Sequence, residues 1–364
     1  MRSKYAVLVL GCLLSVTTMA CRSSRPAPAA PVADDAFAQR RVFARVDGAG
    51  TVTDLALQGD GPGALVVAAA EREAAFIRPD GSIERTLKMP RPAPVYRLVR
   101  TGNQFQFLAE GDDNPLPAVV DAEGGTVWSL KLKEVSGPFL RDADVVDTGG
   151  SMARAYVLGL DNNVRLLNHE GRELWRRLSA IGTVKGIEVA GNGTKDAAIV
   201  TLMLRGEVVH LSPAEGAVTK RFNLLTDAEP RDLRLVRYPA DGPEAILCAA
   251  EEKAYIFSLD GKTKHAVLPA PKDSSVRAAW VKLKAGDDAR PMLALLTTPA
   301  NVSGRGADRT RGSTLYLYDA DLKPVYQGEF PDVCEAILAA PASEGGVERL
   351  LVGGRDRVWE IVPR

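Results

Sequence analysis

The stretch Glu207-Val208-Val209-His210-Leu211-Ser212-Pro213-Ala214-Glu215-Gly216-Ala217-Val218-Thr219-Lys220-Arg221-Phe222 decides the fold. Its first five residues are rich in β-formers, Ser-Pro-Ala-Glu-Gly is a tight turn, and the second run resumes strand composition. The same phrase recurs as Phe76-Ile77-Arg78-Pro79-Asp80-Gly81, Val119-Val120-Asp121-Ala122-Glu123-Gly124, Leu166-Leu167-Asn168-His169-Glu170-Gly171 and Ile256-Phe257-Ser258-Leu259-Asp260-Gly261. Successive turn glycines lie 43, 47, 45 and 45 residues apart. A fixed period of this length marks a repeat architecture.

Upstream of the opening stretch, Gly186-Ile187-Glu188-Val189 reads as an inner strand and Gly191 to Asp196 as its turn. Ala197 to Leu202 reads as a second strand. Four antiparallel strands per unit make a propeller blade. Third strands end near Ile77, Val120, Leu167, Leu211, Phe257, Tyr318 and Ile361, which predicts seven blades. The last of these, Arg357 to Val362, stops at Arg364 with no room for a fourth strand. Far upstream, Arg41-Val42-Phe43-Ala44-Arg45-Val46 has strand composition and no local partner. It is expected to complete the seventh blade, removing two exposed sheet edges. The fold class is therefore all-β, a seven-bladed β-propeller over 40–364 closed by an N-terminal strand. No segment sustains an apolar stripe of 3.6-residue period.

Arg2 and Lys4 precede the apolar run Tyr5 to Leu14, too short to span a bilayer and laid out as a secretory signal. The run continues through Ser15 to Ala20 and reaches Cys21. This resembles the bacterial lipoprotein signal, although Thr18 stands where leucine is usual. The resemblance implies a signal peptide over 1–20, lipidation of Cys21 and a membrane anchor, and Arg22 in place of aspartate implies the outer membrane. An ordinary signal peptide cut near Ala20 is the alternative. The Pro/Ala/Ser-rich segment 21–39 is expected to be a disordered tether.

Lysine plus arginine and aspartate plus glutamate number 46 each, and this balance excludes the concentrated positive field of a nucleic-acid binder. Cys248 and Cys334 fall in the fifth and seventh repeats, which are not neighbours. They are expected as two separate buried thiols rather than a disulfide.

The turns Asp121 to Trp128 and Asn168 to Trp175, in which tryptophan closely follows the glycine, resemble quinoprotein-like propeller repeats. Gly191 to Val200 and Ala240 to Leu247 resemble the FG-GAP repeats of integrin-type propellers. Those families imply a quinone or calcium in some members. Calcium loops need a chain of oxygen ligands, whereas only Asn192 and Asp196, Asp60, or Asp287 and Asp288 remain, without ligand spacing. Trp128, Trp175, Trp280 and Trp359 are too few for a motif in every blade and are expected to pack between blades. His169, His210 and His265 are not gathered by local spacing, so no metal site is expected from them. Neither a Gly-x-Ser-x-Gly elbow nor a phosphate loop occurs. No cofactor, metal or catalytic residue is expected.

Two candidate surfaces remain. The sixth unit is lengthened by 299–313, where Arg305, Arg309 and Arg311 alternate with glycines and suit an acidic partner or a lipid head group. The plainer alternative is a surface insertion tolerated at small entropic cost. Arg97, Asp144, Glu188, Arg234, Arg277 and Glu335 lie on or near the inner strands and are expected to line the central channel, provided the register is not shifted by one. The function so read is a non-catalytic, membrane-anchored lipoprotein of the cell envelope, exported and binding a protein or envelope component through its loop-bearing face. A hydrolase or lactonase-like propeller with a channel metal is the alternative.

Overall fold

The computed structural model describes residues 37–364 apart from 90–94, 102–103, 111–116, 122, 131–139, 148–153, 161–162, 179–182, 226, 285–289, 301–310 and 343–346. The signal segment, Cys21, the tether up to residue 36, Arg305 and Arg309 lie outside the described residues.

Twenty-eight strands form seven four-stranded antiparallel sheets, and among the described residues there is no helix. Blades 1 to 6 are consecutive meanders over 52–88, 95–129, 140–178, 184–223, 234–269 and 274–329. Blade 7 is built from both ends of the propeller: Ala336–Pro341, Glu348–Gly354 and Arg357–Pro363 run inside to outside, and Ala38–Arg45 is the outermost strand. Ala38 pairs with Pro363 and Arg45 with Arg357. The closing strand begins at Ala38, so the end of the stretch expected to be tether is sheet. The first strands of successive blades touch all the way round, which seals the ring.

The apolar runs are continuous rather than alternating because both faces of every blade are covered. In Leu65–Ala70, Val66, Ala68 and Ala70 enter a cluster shared with blade 7, whereas Val67 and Ala69 enter one shared with blade 2. The described core is divided in this way into seven wedges, one between each pair of neighbouring blades. The wedge joining blades 7 and 1 holds Ala44 and Val358 together with Val52, Leu55 and Ile77. Burial of apolar area at roughly 25 cal/mol per Å² drives the wedges together, so side-chain packing carries most of the ring while the strand ladders stay within blades.

The Gly-to-Trp spacing has a structural meaning. Each turn glycine of blades 3, 4 and 5 faces an aromatic ring on the outer strand of the preceding blade: Gly171 faces Trp128, Gly216 faces Trp175, and Gly261 faces Phe222. A Cβ on Gly216 would lie 2.7 Å from Trp175 Cε3. The Trp175 ring cannot slide away, because its Nε1 donates to the Pro213 carbonyl of the same turn at 2.8 Å. In blade 6, Leu322 holds this turn position with φ +60°. Its turn is closed by Asp319 Oδ1, which accepts from the backbone N–H groups of Asp321 and Lys323.

Connections between second and third strands sit with the segments that lead into the inner strands. Arg72 N donates to Ala49 O, Leu204 N to Thr183 O, and Ala300 N to Asp273 O. The glycine turns lie on the opposite face, as do both ends of the described chain: Arg364 N donates to Phe37 O. The insertion of blade 6 thus leaves from the face opposite Phe37. Its downstream stem is fixed, with Ser313 fully buried and its Oγ donating to Cys334 O at 3.1 Å.

Candidate functional site: the charged channel

Each of the first four inner strands bulges after its first residue, and the bulge sets the register of the rest of the strand. Past the bulge, Asp54, Arg97, Asp142 and Gly186 occupy one level, and the residues two further on form a second. Asp144 and Glu188 belong to that second level. Arg234 and Arg277 join it from blades 5 and 6, because Asp232 holds the Val276 N–H just as Asp142 holds that of Ile187.

Five of the six residues expected in the channel are brought together there. Arg97 Nη2 donates to Glu188 Oε1 at 2.6 Å and its Nε to Asp144 Oδ1 at 3.2 Å. Arg234 Nη1 donates to the same Glu188 oxygen and to Asp142 Oδ2, both at 2.8 Å. The side chains of Arg97, Asp144, Glu188 and Arg234 are 15–19% exposed, so solvent reaches the cluster. Arg277 is half-buried and makes no hydrogen bond or ion pair with a described residue. Glu335 stands one residue before the inner strand of blade 7, its N–H is tied to Gly353 O, and its charge is felt at the Cys334 thiol.

Three aspartates enter the site that the sequence pattern does not single out. Asp54, Asp142 and Asp232 each accept the N–H of an inner-strand residue in the next blade: Leu98 at 2.8 Å, Ile187 at 3.2 Å and Val276 at 2.6 Å. They clasp blades 1 to 2, 3 to 4 and 5 to 6. Asp144 makes a further clasp to Val189 N at 2.9 Å. A faint signal exists in the sequence, since Asp54, Asp142 and Asp232 recur 88 and 90 residues apart, two blades each time.

The electrostatics are set by this geometry. Burial and the neighbouring charge of Glu188 push Asp144 up to about 6 against the pull of Arg97. Burial also raises Asp54 and Asp232, whereas in Asp142 the charges of Arg234, Arg97 and Arg277 outweigh it and lower the carboxyl. Arg277 is pushed down to about 10 by burial and by the like charges of Arg234 and Arg97. Arg97 moves the other way, because Glu188 and Asp144 overcome its burial.

Among the described residues no three His, Cys, Asp or Glu side chains are grouped to hold a metal ion. His210 is buried against Phe222 and kept neutral by burial and Lys220, His169 sits in the blade 3 turn, and exposed His265 lies beside Tyr238. Cys248 and Cys334 are free buried thiols, both pushed up by burial. Arg311 is exposed beside the anchored stem of the insertion.

No family model and no curated protein matches the chain. Among solved structures 1158 chains match, a breadth that identifies a fold and selects no activity. Two are crystal structures of BBS1N in complex with ARL6DN. One, soaked with lead, is 16% identical with a TM-score of 0.58, and the other, soaked with mercury, is 15% identical with a TM-score of 0.59. Each alignment covers 89% of this chain and 95% of the other. What the chain shares with them is the β-propeller fold.

Proposed function

We propose that this protein is a non-catalytic binding propeller of the bacterial cell envelope, held to the membrane through a lipid on Cys21 and presenting its loop-bearing face to a protein partner. The observation that carries this reading is the separation of the two faces. The chain enters and leaves on one, and the stem of the blade 6 insertion, with Arg311 exposed, emerges on the other. That the matched propellers were crystallised with a second protein supports binding as the mode of action. The channel favours this over the hydrolase alternative, because its carboxylates hold backbone N–H groups and arginines instead of converging on a histidine.

The test is site-specific photo-crosslinking in envelope-bearing cells. A crosslinker at Arg311 is expected to give a discrete protein adduct, and one at Lys262, on the glycine-turn face, is not. Equal adducts from both positions, or none from Arg311, overturns the choice of face. A Cys21→Ala chain that remains in the membrane fraction overturns the lipid anchor, and a stoichiometric catalytic metal in the purified protein overturns the non-catalytic assignment.

A further inference from the structure

The channel holds three guanidinium groups, and the protein supplies acceptors unequally. Glu188 Oε1 accepts from both Arg97 and Arg234, and Asp142 accepts from Arg234. Asp54, Asp142, Asp144 and Asp232 are directed at backbone N–H groups of the next blade. Asp232 is the instructive case: its Oδ2 is held by Val276 N, the residue adjoining Arg277, so the nearest carboxylate in sequence register is committed to the backbone. Arg277 has no hydrogen-bonded or ion-paired partner among the described residues, although it is half-buried on an inner strand. It feels the like charges of Arg234 and Arg97 and the opposite charges of Asp142 and Asp232, and with burial the repulsion prevails. A guanidinium carries five donors in a fixed fork that matches an oxyanion, and those of Arg277 are open to the channel, where a dissolved anion can reach them.

We propose that the central channel binds a small oxyanion, a carboxylate or a phosphate, on Arg277. The ligand's oxygens take the paired donors of the Arg277 fork, the one channel guanidinium that no described carboxylate holds. Carboxylates elsewhere in the channel limit the site to a small ligand of low charge, because a polyanion would meet Asp144 and Glu188. The site is separate from the partner-binding face proposed above, and each survives failure of the other.

The test is thermal unfolding and titration calorimetry of the full chain in low-salt buffer, with inorganic phosphate, acetate or chloride added at matched ionic strength. Phosphate or acetate is expected to raise the unfolding midpoint progressively with concentration, beyond the effect of chloride. The anion with the larger effect identifies the ligand class. Arg277→Gln is expected to weaken the response at least roughly tenfold, the loss of a charge-assisted contact. Arg277→Lys, which keeps the charge and loses the fork, is expected to fall between. Without added anion, Arg277→Gln is expected to unfold at a higher midpoint than the parent, since it removes an unpaired cation beside two others. A response no greater than that of chloride, a response retained in Arg277→Gln, or a lower midpoint for that variant without anion each overturns the proposal.

Discussion

Replacing Gly216 with alanine tests whether the turn glycines dock the blades to one another or merely allow the chain to turn. Gly216 has φ +64°, so an alanine there incurs about 1–2 kcal/mol of backbone strain. Its Cβ would in addition lie 2.7, 2.9 and 3.0 Å from three atoms of the Trp175 ring, and overpacking of this kind costs about 1–3 kcal/mol. The expected total is about 2–5 kcal/mol. Gly48 provides the control: its φ is +79° and a Cβ there meets nothing within 4 Å, so Gly48→Ala should show only the backbone share. Chemical denaturation of both variants, with Gly216→Ala repeated in a Trp175→Leu background, measures the difference. Removing the ring should bring the cost of Gly216→Ala down towards that of Gly48→Ala, a coupling of about 1–3 kcal/mol. Equal costs for Gly216→Ala and Gly48→Ala, or the same Gly216→Ala cost with and without the ring, would refute docking through this contact.

The charged channel and the thiols give three further expectations. Because Asp144 is raised from 3.8 to about 6, the folded state holds a proton that the unfolded state has lost between those values. Its contribution to stability is therefore present below about pH 4 and lost as pH rises past 6, a span of about 2–3 kcal/mol that should disappear from the difference between parent and Asp144→Asn stability profiles. Arg234→Gln leaves Asp142 and a share of Glu188 without their cation and should destabilise by about 3 kcal/mol at pH 7, read by chemical denaturation. Cys248 and Cys334 are fully buried with raised thiol pKa values, so maleimide labelling followed by peptide mapping should find both only after unfolding. Labelling of either within minutes in the native protein contradicts that burial.

The parts legible in the sequence are those written locally. Turn glycines, the strand-forming runs between them and the missing outer strand of the last blade each sit within a few residues, and together they lead to the ring. The channel is legible only as a set of residue types. The Arg97–Glu188 and Arg234–Asp142 pairs span 91 and 92 residues, two blades apart, and such pairing depends on ring curvature that no local pattern encodes. Asp54, Asp142 and Asp232 escape a sequence reading because a single aspartate at a strand start has the composition of a turn, and its clasp acts on a backbone N–H that any residue can supply.

Sealing blade 7 with Ala38–Arg45 imposes an order of events on synthesis. That strand leaves the ribosome first, and its partner Arg357–Pro363 leaves last. At about 5–20 residues per second, the early strand waits roughly 15–60 s before it has anything to pair with. Arg40, Arg41 and Arg45 are all exposed in the finished sheet, and their mutual repulsion would keep the waiting strands of neighbouring nascent chains from pairing with one another.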